Sequence, residues 1–234
     1  MPYGKRIIGT ISYMGGVIAI PEEFCYSWGQ MIQYNSEYLC QPGEIIWQDR
    51  AKISWHSAAR NSLAERMKGD WLWMTDTDHQ FDPDIVCRLV NLMSKYQVDV
   101  LTGVYVYKHP PHFPLLYQYI PYSDMFDMIV DWEIPDPSCE IFEIGASGAG
   151  CLLVKRDVFH KIRNELHESP FDIIPPKSED LSFFRRLHTL GVKSYVAPLI
   201  ESHHLAIYSS SLSDRKLDGL GEKVYHEVLA HKQE

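Results

Sequence analysis

The run Trp71-Leu72-Trp73-Met74-Thr75 breaks off abruptly into Asp76-Thr77-Asp78-His79. Consecutive residues with so little polarity read as a strand buried on both faces, the pattern of the interior of a parallel sheet. The surrounding chain alternates as such a sheet requires. Arg6 to Ser12 is a short Ile-rich strand, and Pro21-Glu22-Glu23 opens a helix with proline first and acids in its first turn. Glu44 to Trp47 reads as a second strand and Ser57 to Met67 as a helix. Pro83 to Tyr96 is a helix with Ile85, Leu89 and Met93 on one face, and Val98 to Tyr107 is a fourth strand. Strands separated by helices predict βαβ units, so the expected class is α/β with a mainly parallel central sheet flanked by helices.

The second half is less regular. His109 to Asp136 is rich in Pro, Tyr and Asp and reads as a long excursion holding one strand, Leu115 to Tyr119. Glu140 to Ile144 and Cys151 to Val154 are short strands around the small-residue segment Gly145 to Gly150. Asp157 to Leu166 and Glu179 to Leu190 read as helices, Lys193 to Val196 as a final strand followed by a His-rich loop, and Leu220 to His231 as a last helix. The 234 residues suffice for one substantial core. A soft boundary near Pro110 divides one compact domain into halves, 1–108 and 109–234.

Charge narrows the function. Lys plus Arg is 22 and Asp plus Glu is 31, a net charge of -9, which argues against a dedicated nucleic-acid binder. It leaves room for a phosphate-bearing small molecule, because a local site can be positive on an acidic protein. No apolar stretch is long enough to predict a membrane span, and the N-terminus lacks a signal-peptide shape. The five cysteines are scattered without a CxxC pair, as expected of reduced thiols in a cytoplasmic protein. Nothing in the composition signals an oligomeric state.

Four constellations carry chemistry. Asp76 and Asp78 follow a buried strand, and in open α/β sheets ligands bind outside the carboxyl ends of the strands. Hard divalent cations take carboxylate oxygens, and Mg²⁺ often takes only one or two from protein. A surface turn or helix cap is the competing use of such acids. Ser178-Glu179-Asp180 combines a helix N-cap with acids in the first turn. The same carboxylates suit a base at the mouth of a site. His203-His204 follows the last strand; neighbours on an extended chain point to opposite sides, so only one of the two reaches a given metal. Imidazole suits Mn²⁺ or Zn²⁺ better than Mg²⁺. In Gly145 to Gly150, small residues admit a ligand close to the backbone, where N–H groups can hold oxygen atoms; a tight turn or bulge is the plain alternative.

In this order the motifs resemble the nucleotide-sugar-dependent glycosyltransferases of the GT-A fold, in particular family 2 and related short bacterial and phage enzymes. The carriers are Arg60-Asn61, the strand from Trp71 to Asp78, Gly148-Ala-Gly150 running through an apolar strand to Arg156, Glu179-Asp180, and His204. The resemblance covers about Arg6 to Ser209. It implies a metal-dependent transfer of a sugar from a UDP- or GDP-sugar to a carbohydrate or other hydroxyl acceptor. Mn²⁺ or Mg²⁺ would be held by Asp76, Asp78 and His204, with Asp76 at the ribose or supporting the metal through water. Thr10, Ser12, Gly148 and Gly150 would lie along the donor, and Arg60 would approach the diphosphate or the carboxylates, a structural salt bridge being its other use. Asp180 would be the general base of an inverting transfer, with Glu179 placing acceptor or donor. Residues 1–108 become the donor half and 109–234 the acceptor and catalytic half. A base-binding acid is not obvious, Asp49 being the candidate. The Gln-x-x-Arg-Trp motif of processive synthases is missing, which favours a non-processive transferase.

Other readings stay open at this point. A retaining transferase would leave Asp180 without its base role, and a nucleotidyltransferase would need a basic loop that Met14-Gly15-Gly16 lacks. A sugar-binding protein of the same fold would bind without turnover. A zinc protein would use His56, His79, His203 and His204. The aromatics between Tyr105 and Trp132 suit either an acceptor platform or the core.

Overall fold

The computed structural model describes residues 5–15, 20–53, 55–130, 138–205 and 209–210. Its first half is β1 (Arg6–Met14), α1 (Glu22–Tyr38), β2 (Glu44–Ala51), α2 (His56–Arg66), β3 (Trp71–Asp76), β4 (His79–Phe81), α3 (Ile85–Tyr96) and β5 (Val100–Val104). There follow β6 (Leu116–Ile120), β7 (Met125–Met128), β8 (Phe142–Ile144), β9 (Ala146–Ser147) and β10 (Cys151–Lys155). The chain closes with α4 (Arg156–Lys161), a π-helical turn (Ile162–Leu166), α5 (Glu179–Thr189), β11 (Ser194–Leu205) and β12 (Ser209–Ser210). The expected helix from Leu220 to His231 lies outside the described residues.

The main sheet runs in the order β12-β11-β5-β10-β3-β1-β2. β1 pairs in parallel with β2 and β3, and β5 with β11. β10 lies antiparallel between β3 and β5, so β3 and β5 still point the same way. Five strands, β1, β2, β3, β5 and β11, therefore run one way, as the strand-helix rhythm predicts, while β4, β8, β10 and β12 pair antiparallel, so the sheet is mixed around a parallel framework. A smaller antiparallel sheet, β7-β6-β9, stands beside it. It turns part of the Pro- and Tyr-rich excursion into a hairpin, of which only β6 was expected.

The alternation along β3 explains the layers. Leu72 and Met74 face a core shared with α2, α5 and the Phe159, Phe171, Phe183 and Phe184 rings. Trp71 and Trp73 face the opposite core, shared with Phe24 and Met31 of α1 and Val86, Leu89 and Met93 of α3. Successive strand residues point to opposite faces, so a strand covered on both sides must be apolar throughout. Polarity resumes at Asp76 because β3 leaves cover there.

Two elements differ from expectation in ways that matter for the site. β11 continues through the supposed His-rich loop to Leu205, and β4 pairs with that extension, His79 opposite His204 and Gln80 opposite His203. Ser178 occupies the N-cap position of α5 without a capping bond to the backbone; its hydroxyl donates to the Asp180 carboxylate instead.

Candidate functional site

β3 ends at Asp76, and the two-residue turn Thr77-Asp78 sends the chain back as β4. Because β4 pairs with the end of β11, the acids after β3 are brought to His204. Directly paired residues on a sheet share a face. The rings of His79 and His204 accordingly stack, with centroids 4.7 Å apart and planes at 24°. His203, one residue away, points elsewhere and lies 3.8 Å from Glu201.

Asp78 Oδ2 lies 3.3 Å from His204 Nε2 and also contacts Lys108 Nζ. His204 Nδ1 donates to the Val106 carbonyl at 3.0 Å. With that ring N–H committed, the approach of Nε2 to a carboxylate oxygen requires a cation between them, either a proton or a metal ion. His79 Nδ1 meets Ser202 Oγ at 2.8 Å, and its buried Nε2 has no hydrogen-bond partner. Ligand atoms of Asp78, His79 and His204 all lie within 4.8 Å of one another. A histidine fixed through one nitrogen and open at the other is the usual form of a metal ligand. Burial pushes the His79 ring down to about 4, against the pull of Asp76 and Asp78, which keeps its lone pair available. Burial pushes Asp78 up, but hydrogen bonds from His204 and Lys108 and the nearby rings outweigh it and hold the carboxyl well below its usual range.

Asp76 is not one of this trio and is engaged by Arg60. Arg60 Nη2 lies 3.1 Å from its Oδ1, and the same guanidinium reaches Glu179 Oε1 at 3.4 Å and the Ala149 carbonyl at 3.0 Å. Arg60 is buried, yet Asp76, Glu179 and Asp180 together raise its already high pKa against the effect of burial. Its role in this structure is to bind the acids together. Glu179 is also 3.6 Å from His56 Nδ1. At the N-terminus of α5, burial and the charge of Glu179 raise the pKa of Asp180 above the ordinary carboxyl value. Ser178 Oγ and the Leu181 N–H both donate to Asp180 Oδ1.

Gly148 and Gly150 are at the site, for a different reason than expected. The Gly148 N–H is spent on the Leu115 carbonyl, and the Gly150 N–H donates to the Tyr105 hydroxyl at 3.0 Å. A Cβ on Gly148 would come within 1.9 Å of Tyr105 Oη, and one on Gly150 within 2.6 Å of His79 Nε2. The glycines make room for Tyr105 and His79, so the backbone there is not an open anion cradle. Tyr105 is buried with its edge against His79, and burial pushes its pKa well above the usual value.

The structure does not bring Thr10 and Ser12 to this cluster. β1 continues to Met14, and the hydroxyls of both residues are buried in backbone bonds, Thr10 to Lys68 and Ser12 to the Trp73 carbonyl. Asp49 is likewise engaged, accepting from Arg66 Nε at 3.0 Å. Of the histidines of the zinc reading, only His79 and His204 converge. His79 has a sequence signal in its position straight after Asp78. Tyr105 is signalled only as one of the aromatics of the excursion and Lys108 not at all, since their place depends on how the chain after β5 folds back. Of the other aromatics, Tyr107 and Tyr122 are exposed. Among the described residues, no helix is long and apolar enough to cross a membrane.

The layered fold is shared with solved GT-A structures. A197 from STIV superposes with a TM-score of 0.52 at 17% identity, over 84% of this chain and 85% of that one. GalNAc-T7, solved with UDP, GalNAc and Mn²⁺, superposes with a TM-score of 0.58 at 12% identity, over 86% of this chain. The chain spans 43% of the GalNAc-T7 chain, so that likeness concerns one part of a larger protein. No curated protein matches the sequence significantly. The model of glycosyl transferase family 2 matches residues 33–163, more than half of the chain. The fold is thus GT-A-like, and the chain belongs to glycosyl transferase family 2.

Proposed function

We propose that the protein is a metal-dependent, inverting glycosyltransferase that moves a hexosyl group from a UDP- or GDP-sugar to an acceptor hydroxyl. The observation that carries the metal reading is the approach of Asp78 Oδ2 to His204 Nε2 beside the unpartnered Nε2 of His79. One carboxylate and two imidazoles depart from the all-oxygen shell Mg²⁺ wants and suit Mn²⁺ or Zn²⁺ better. Asp78, His79 and His204 are the proposed ligands, His79 standing where the sequence suggested Asp76. A divalent ion held there supplies the Lewis acidity that offsets charge gathering on the leaving diphosphate.

Asp76, fixed by Arg60, is placed to accept from the donor's ribose. Asp180 is the base. Its Oδ1 already receives two donors, while Oδ2 faces Gly148, 3.6 Å from where a Cβ there would stand. That oxygen takes the proton of the acceptor hydroxyl as the new C1–O bond forms and the C1–O bond to the diphosphate breaks. A raised pKa makes Asp180 a better proton acceptor than an ordinary aspartate. Residues 1–108 supply Asp76, Asp78 and His79 to the donor side of this site, and 109–234 supply His204 to it together with Asp180 and the acceptor side.

Calorimetry with UDP and GDP, each with Mn²⁺ and with EDTA, tests the reading. Metal-dependent binding of one nucleotide is expected. Equal binding in EDTA, or none under any condition, overturns it. The anomeric configuration of the product tests inversion.

A further inference from the structure

We propose that Lys108 is a donor-site cation that holds the metal's place on Asp78 and transfers to the diphosphate when the nucleotide sugar arrives. This rests on the reading of Asp78, His79 and His204 as metal ligands.

Lys108 Nζ contacts Asp78 Oδ2, the oxygen that also faces His204 Nε2. Its backbone is well anchored. The turn that carries it is closed at the base by the Val106–Pro114 bridge, by the Tyr107 N–H to Phe113 O bond at 2.8 Å and by the Leu115 N–H to Tyr105 O bond at 3.0 Å. Val106 also provides the carbonyl that orients His204. The point of attachment is therefore fixed to the ligand set, and the movable part is the four-carbon stem. The side chain of Lys108 is 36% exposed, whereas that of Arg60 is 3% exposed and committed to three partners. Among the described residues these are the two Lys or Arg side chains that touch the acids of the site, and only Lys108 is free to swing.

An ammonium and a divalent ion cannot both sit on Asp78 Oδ2 without strong repulsion. A lysine ammonium is a compact charge with three rotatable donors, well suited to phosphate oxygens. A diphosphate beside the site offers it a better partner and removes it from the metal position. Metal and nucleotide then bind cooperatively, each lowering the cost of the other. Lys108 also adds positive charge where the leaving diphosphate gains negative charge, which stabilises the transition state.

The test is calorimetry on the full chain. Mn²⁺ is titrated into the protein alone, and UDP or GDP into the Mn²⁺-loaded protein, for the wild type, Lys108→Met, Lys108→Gln, Lys108→Arg and Asp78→Asn. Expected for both neutral Lys108 variants is several-fold tighter Mn²⁺ binding in the absence of nucleotide, together with at least tenfold weaker nucleotide binding. Lys108→Arg is expected to stay near the wild type in both. Unchanged or weaker Mn²⁺ binding by the neutral variants, or unchanged nucleotide affinity, overturns the proposal while leaving the metal site intact. Asp78→Asn binding Mn²⁺ as well as the wild type overturns the metal site itself, and the role of Lys108 with it.

Discussion

Arg60 on α2 and Asp76 at the end of β3 meet through a single nitrogen, Nη2, which lies 3.1 Å from Oδ1 and 3.3 Å from Oδ2. Nε of the same guanidinium reaches Glu179 on α5, and Nη1 reaches the backbone between Gly148 and Gly150. One buried cation therefore sets the spacing between the end of β3 and the N-terminus of α5. Removing one partner of a buried ion pair costs about 3–5 kcal/mol because the remaining charge stays desolvated. Asp76 is partly exposed, so the lower end is expected for Arg60→Met, about 3 kcal/mol by denaturant unfolding. Arg60→Lys keeps the charge but loses the fork, and is expected to cost activity more than stability. Full activity in Arg60→Lys would argue that geometry at Asp76 is unimportant.

The Gly148–Tyr105 contact predicts a coupled pair. Gly148→Ala places a methyl group 1.9 Å from Tyr105 Oη, which well-packed surroundings cannot absorb. Tyr105→Phe removes that oxygen at the cost of the hydrogen bond from the Gly150 N–H. The double variant is expected to lose less stability than the sum of the two single losses, by about 1 kcal/mol or more. Additive losses in thermal or denaturant unfolding would contradict this packing.

Asp180 predicts opposite changes in stability and activity. Its pKa is raised in the folded protein, so the folded state holds the proton more tightly than the unfolded chain does. The stabilising contribution is complete below the unfolded value, near 3.9, and is lost as pH rises through the raised folded value. At neutral pH the ionised group is thus a burden on the fold. Asp180→Asn is expected to unfold at an equal or higher temperature at pH 7 while transfer is abolished and nucleotide binding persists. In the wild type, activity should fall as pH drops through the raised value, placing the acid limb of the pH–rate profile above the ordinary aspartate value. Loss of nucleotide binding in Asp180→Asn would instead place this residue on the donor.

Substitution separates the proposed metal ligands from Asp76. Asp78→Asn, His79→Ala and His204→Ala are each expected to weaken Mn²⁺ binding by tenfold or more. Asp76→Asn should leave it within a few-fold and act on nucleotide affinity. Chelation with EDTA should remove nucleotide binding from the wild type, and excess Mn²⁺ should restore it. An unaltered metal affinity in His79→Ala would return Asp76 to the ligand set.

Much of the fold is legible in the sequence. The apolar run at β3, the periodic face of α3 and the proline and acids opening α1 are local patterns, each written in consecutive residues. The acids of the site are legible for the same reason, because Asp76, Asp78, Glu179 and Asp180 stand at the ends of elements whose periodicity is clear. Thr10 and Ser12 show the limit. Their place on β1 is readable, but how far that strand runs beyond them depends on its pairing with β2 and β3. The glycines show another. Small residues announce a close approach, though not whether a ligand or Tyr105 makes it.

The sequence by itself determined the α/β class, the carboxyl-end position of the acids and the family. Tertiary structure alone decided which side chains meet. β4 pairs with the far end of β11, and that register sets His79 on His204 and turns His203 away. The folding back of the chain after β5 delivers Tyr105 and Lys108, and buried Arg60 ties Asp76 to Glu179. Hydrophobic period reports only which face of a segment is buried. Contacts between distant segments depend on strand register and on the competition of charges for partners, and these exist only once the chain is packed.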